Sequence, residues 1–214
     1  MSQELFKRMA QSVIDGEDEE AAAVARAALD NGIDPLVAIN DGFTAGMDVV
    51  SELYSSGEYF LPDLIMGGEA MKAALAVLEP ALAASGQHRE VLGTVVLGTV
   101  KGDIKEIGKA LVGSMLSANG FKVYDLGIDV ESDVYVTKAQ EHNADIVALS
   151  ALLTTTMLLQ RDVIELLAEA GLSDRVRVMV GGSPVTQGWA DQIGADGFAE
   201  DAANAVVVAT KLMA

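Results

Sequence analysis

The chain has 214 residues, half of them apolar and none of them cysteine, with 14 Lys and Arg against 32 Asp and Glu for a formal net charge of −18. This length suits one medium domain or two small ones. The acidity opposes docking on nucleic acid or on anionic membranes, and the missing cysteine excludes disulfides, thiolate metal sites and a cysteine nucleophile. No run approaches the length of a membrane span, and MSQELFKRMAQSVIDGEDEE turns acidic at once instead of opening as a secretion signal. The expectation is a soluble, cytoplasmic protein with no nucleic-acid or membrane partner.

The first part reads as helices only. Helices are expected over Gln3–Ile14 and Asp18–Asp30, the second stopping at Asn31-Gly32. Asp34-Pro35 reads as an N-cap with proline at the first helical position, opening a helix to about Ser55 with Gly57 beyond it. Pro62 opens a fourth helix, in which Leu64, Ile65, Ala70, Met71, Ala74, Leu75 and Leu78 form one apolar stripe. Four helices with short joints predict a bundle, and Ser85–Arg89 reads as a linker.

Beyond His88 the pattern changes. Val91–Val100 is a continuous apolar run, as expected of a strand buried on both faces. Helix 106–119, strand 122–126, helix 132–142, strand 145–152, helix 155–170 and strand 176–180 follow. A helix from about Val185, a short strand 195–199 and a closing helix 201–213 complete the chain. Strict alternation predicts a parallel sheet with helices on both faces, so the fold class is α/β. A helical bundle over residues 1–87 precedes a flavodoxin-like or Rossmann-like domain of five strands over 88–214. Ligands of such sheets sit at the carboxyl ends of the strands.

Those ends carry Lys101-Gly102-Asp103-Ile104-Lys105-Glu106-Ile107-Gly108, then Ser150 to Thr156, then Gly181-Gly182-Ser183-Pro184, then Gly197 and Phe198 to Asp201. Three of the four are built from Gly, Ser and Thr. Such residues also make tight turns and helix caps, but together on one rim they describe a narrow, neutral-polar slot for a ligand. No G-x-G-x-x-G follows the first strand and no P-loop is present. The two histidines, His88 in the linker and His142 in a predicted helix, offer no hydrolytic triad.

This set of edges resembles the corrinoid-binding proteins of methyltransferase systems, whose pattern is Asp-x-His-x-x-Gly, then Ser-x-Leu, then Gly-Gly. The matching residues here are Asp103, Lys105, Gly108, Ser150, Leu152, Gly181 and Gly182, within GTVKGDIKEIGKALV, DLGIDV, SALLTTTM, VGGSPVT and IGADGFAEDA. The helical part is similar to the family's cap through GFTAGMDVVSELYSSGEYFLPDL and GGEAM, so the resemblance covers nearly the whole chain.

The resemblance implies a cobalamin whose dimethylbenzimidazole tail leaves the cobalt and enters the Gly/Ser/Thr slot. Gly102, Asp103, Ile104, Lys105, Gly108, Ser150, Leu152, Thr154, Gly181, Gly182, Gly197 and Phe198 are the implied residues of the slot and of the corrin's lower face. Tyr54, Tyr59, Phe60 and Leu61 are candidate cap residues over the upper face; bundle core is the competing assignment for each. The implied function is a methyl carrier, and the cofactor supplies the chemistry. Its implied partners are a substrate methyltransferase, an acceptor methyltransferase and a reductive activator. The alternative is a cobalamin-dependent sensor, which would normally add a basic DNA-binding segment that this chain lacks. A flavodoxin-like protein with another nucleotide cofactor and the small subunit of a cobalamin-dependent mutase rank lower.

One position departs from the family. Lys105 stands where the resemblance implies a cobalt-ligating histidine. An amine must lose its proton to bind a metal. With an ordinary pKa of about 10.4, that costs roughly 4–5 kcal/mol near pH 7. The expectation is a cobalt without a strong lower protein ligand, with Lys105 as its nearest candidate metal ligand.

Overall fold

The computed structural model describes residues 2–85, 91–104 and 106–214. Lys105 and the expected boundary between 87 and 88 lie outside the described residues. The chain divides into two compact units, one built from the N-terminal helices and one from the sheet and its helices.

The first unit contains α1 (Ser2–Ile14), α2 (Asp18–Asp30), α3 (Pro35–Val37), a π-helical segment (Ala38–Thr44), α4 (Ala45–Ser56) and α5 (Leu61–Ala84). The Asp34 carboxylate caps α3 by accepting from the Leu36 and Val37 amides at 2.9 and 3.2 Å. The expected third helix is thus unbroken in its helical backbone but widened in its first half into π geometry. Gly46 lies at a close crossing there, since a Cβ on it would come within 2.5 Å of the Ala10 carbonyl oxygen. Gly57 ends α4 in the left-handed conformation. The fourth helix runs through Pro80, which lacks the N–H that would bond back to Ala76. Its stripe of Leu64, Met71, Ala74 and Leu78 is buried together with Met9, Val13, Val24, Ala28, Ile39 and Phe43.

The second unit holds β1 (Thr94–Thr99), α6 (Ile107–Ala118), β2 (Lys122–Asp125), α7 (Ser132–Glu141), β3 (Ile146–Ser150), α8 (Leu159–Glu169), β4 (Arg177–Gly181), α9 (Gln187–Ile193), β5 (Gly197–Ala199) and α10 (Ala202–Met213). All pairings are parallel and the strand order is β2-β1-β3-β4-β5, the flavodoxin-like order. Because side chains alternate across a strand, Val96, Val147, Leu149, Val178 and Val180 pack with α7, α8 and α9. Val95, Leu97, Ile146, Ala148 and Met179 pack on the other face with α6 and α10. The first strand is shorter than expected: Val91 and Leu92 are exposed ahead of it, and Val100 makes only an isolated bridge to Val130. Residues 154–158 form turns before α8 instead of its first turn. No helix among the described residues is long and apolar enough to cross a membrane.

Candidate functional site

At the carboxyl ends of β1, β3 and β4 the second unit opens into a slot of about 270 Å³. One wall is α6 with Gly108, Lys109, Leu111 and Val112, and another is the start of α10 with Asp201, Ala202 and Ala205. Leu97, Ala148 and Met179 form the floor, and Ser150, Leu152, Gly181, Gly182 and Ser183 form the rim. The volume lies just under the range of about 300–1,000 Å³ found for ligand pockets. It suits one flat heterocycle with its sugar, not a whole macrocycle.

Two glycines shape this space in opposite ways. Gly182 has φ +121°, and a Cβ there would sit 1.8 Å from the Ala151 carbonyl oxygen, so only glycine lets the β4 end turn against β3. At Gly108 a Cβ would meet nothing within 4 Å, so the missing side chain leaves the slot open instead of relieving a clash.

Gly108, Ser150, Leu152, Gly181 and Gly182, all expected from the sequence, therefore meet at one slot. The loop after β1 borders it differently. Gly102 takes the left-handed conformation at φ +77°, and its amide donates to Asp129 at 2.8 Å. That bond holds the Asp129 carboxyl below the usual carboxylate range, with Lys101 adding to the effect. Asp103 is 1% exposed, and its Oδ2 accepts from the Leu152 amide at 2.7 Å and the Thr156 hydroxyl at 2.9 Å. Ile104 and Ile107 are 74% and 89% exposed, and Leu153 and Leu158 are exposed as well. The β1 loop and the segment after β3 thus offer an apolar rim outside the slot.

Thr154 is exposed on that segment. Gly197 opens β5, where a Cβ would come within 2.5 Å of Val208, so it serves the packing of α10. Phe198 is half-buried against the core beneath α7–α9. In the helical unit Tyr54 is half-buried, Phe60 is 68% exposed and Leu61 is exposed; Tyr59 donates to the Ile14 carbonyl at 3.2 Å.

Sequence reasoning missed three residues. Thr156 donates its hydroxyl to the Asp103 carboxylate. Lys109 is fully buried in the slot wall and ion-paired with Asp125, whose Oδ1 also accepts from the Gly127 amide at 2.8 Å. Gln160 is buried behind the rim. A lysine inside the apolar run after Gly108 was the available signal for the second; the other two carry no local mark.

Residues 93–207 match the family model of the B12 binding domain, and residues 5–79 match a second family model of the same description. The chain belongs to the B12-binding corrinoid proteins. It is 46% identical over 214 residues to a corrinoid protein of Desulfitobacterium hafniense (strain Y51), covering 100% of this chain and 99% of that one. It is 47% identical over 204 residues to the trimethylamine corrinoid protein of Methanosarcina barkeri, covering 95% and 94%. Among solved structures, the methanol:cobalamin methyltransferase complex of Methanosarcina barkeri contains a chain that superposes with a TM-score of 0.88 at 32% identity, covering 100% of this chain and 81% of that one.

The slot fits the nucleotide-bearing tail of a corrinoid. Its floor is apolar, its rim is built of small residues, and no protein atom lies within 4 Å of where a Cβ on Gly108 would stand. Among the described residues no group of three or more His, Cys, Asp and Glu side chains could hold a bare metal ion.

Proposed function

We propose that this corrinoid protein is a methyl carrier in a multi-component methyltransferase, working in the cytoplasm. Gly108, Ser150, Leu152, Gly181 and Gly182 would hold the nucleotide tail of a corrinoid in the slot they line, and Gly102, Asp103, Ile104 and Thr154 would border its ring. The bound cobalt supplies the methyl-accepting and methyl-donating chemistry. The chain's own residues hold and orient: Asp103 fixes the β1 loop against the β3 end, and the exposed isoleucines give the ring an apolar surface. Phe60, Leu61 and Tyr54 are our candidates for residues of the helical unit that meet the cofactor, and the boundary between the units is assigned to 87/88. Gly197 and Phe198 act through the packing of β5.

The solved relative belongs to a methanol:cobalamin methyltransferase complex, which supports a substrate methyltransferase as one partner. An acceptor methyltransferase and a reductive activator complete the cycle in this reading. The observation that carries it is the slot at the ends of β1, β3 and β4, kept open by Gly108. The test is to mix apo-protein with hydroxocobalamin, desalt it and record visible spectra in the oxidised and one-electron-reduced states. Retention with a base-off cobalt(II) spectrum supports the carrier. Loss of the corrinoid on desalting refutes it.

A further inference from the structure

On the face of the sheet opposite the slot, one buried amide ties together the two strand ends that form the slot's rim. Gln160 is 0% exposed; its Nε2 donates to the Leu149 carbonyl at 3.0 Å and to the Gly181 carbonyl at 3.2 Å. Its Oε1 accepts from the Trp189 indole N–H at 3.0 Å. Trp189 is fixed in turn by its own amide donating to the Thr186 hydroxyl at 3.2 Å, and the Arg161 guanidinium lies 5.2 Å from its ring centre.

A buried amide left unsatisfied costs about 1–3 kcal/mol per group, so a glutamine in this apolar cluster persists because it is bonded. The sheet does not need it: β3 and β4 are already paired from Ile146–Arg177 to Ser150–Gly181. What Gln160 adds is a cross-tie at the last rung, where both chains leave the ladder to form the rim. Leu149 and Gly181, whose carbonyls it holds, line the slot themselves. The Gly181 carbonyl also accepts from the Ala151 amide at 3.1 Å, so one oxygen joins the ladder, the rim and the cross-tie.

We infer that Gln160, held by Trp189, is a positioning residue that sets the spacing of the β3 and β4 ends and so the slot's grip on the corrinoid tail. This rests on the reading that the slot takes that tail. A small widening of the rim, where the β3 and β4 ends meet, loses dispersion contact along the edge of a flat ring.

The test compares cobalamin with cobinamide, which keeps the corrin ring but has no nucleotide tail. Dissociation constants for both are measured on the full-length apo-protein by visible spectroscopy, alongside thermal midpoints. Wild type is expected to prefer cobalamin. Gln160→Met, close in shape but without donors, lowers that preference about tenfold, a loss of one to two hydrogen bonds' worth, and leaves cobinamide affinity unchanged. Trp189→Phe shifts it the same way, and the double variant is no worse than Gln160→Met because the two act as a unit. An unchanged preference with a lowered thermal midpoint would make the pair core packing only and overturn the inference. If Gln160→Met does not fold, Trp189→Phe decides by the same ratio. No preference in wild type would instead sink the tail-in-slot reading itself.

Discussion

The Thr156 hydroxyl donates a hydrogen bond of 2.9 Å to the carboxylate of Asp103, 53 residues earlier in the chain. Together with the Leu152 amide it binds the β1 loop to the end of β3 through a single carboxylate oxygen. Thr156→Val removes a donor from a buried acid and should cost about 1–3 kcal/mol. Thr156→Ser should recover most of it. Urea midpoints of the three proteins check this, and equal midpoints for Val and Ser would contradict it.

Gly182 and Gly108 predict opposite failures. Gly182→Ala places a methyl on the Ala151 carbonyl at a positive φ and should cost on the order of 4 kcal/mol. Gly108→Ala meets no protein atom and lies in α6, so its melting temperature should match or slightly exceed that of wild type, while cobalamin binding weakens as the methyl occupies the slot. A scan of thermal unfolding with and without cobalamin separates the two outcomes.

Asp129 anchors the Gly102 amide with its own backbone at φ 55°, a conformation that Asn and Asp tolerate better than most residues. Its carboxyl is held below the ordinary range, so its contribution is present above the unfolded-state pKa of about 3.9 and is lost as pH falls through the folded value. The loop should thus be insensitive to pH from neutrality down to about 5 and loosen only in stronger acid. Asp129→Asn keeps an acceptor but not the charge, so it should show the acid-loosened behaviour at every pH, and Asp129→Val, which also loses the acceptor, should loosen the loop further. Hydrogen exchange of the Gly102 amide against pH reads the effect.

At Lys105 the prediction is electrochemical. A lower nitrogen donor pushes electron density toward cobalt and disfavours cobalt(I). Lys105→His should therefore make the cobalt(II)/(I) potential more negative and shift the cobalt(II) spectrum away from base-off. An equal or more negative potential in the wild type would contradict the expectation.

The sheet and the rim were legible in the sequence because apolar runs followed at once by Gly, Ser or Thr mark buried strands ending at a solvent face. That pattern marked the rim segments, and the resemblance to the corrinoid-binding proteins singled out Gly108, Ser150, Leu152, Gly181 and Gly182 within them. Strand limits were less legible: Val91 and Leu92 are as apolar as the strand they precede, and a continuous run has no period to end it. The π-helical turn at Ala38–Thr44 has no residue pattern of its own, although Gly42 within it and Gly46 just after it are closely packed against α1. Thr156, Gln160 and the Lys109–Asp125 pair were hidden for another reason. Each acts on a partner from a different β-α unit, and no local spacing encodes that.

The slot's walls come from stretches far apart in the order of synthesis: α6 early in the second unit, the start of α10 last. A ribosome-bound chain that displays β1 to β3 has the Asp103 loop but no closed cradle. The helical unit emerges first and can bury its stripe alone, as N-terminal domains generally do during translation. A product truncated before α10 therefore lacks one of the slot's two helical walls, whatever else of the second unit it displays.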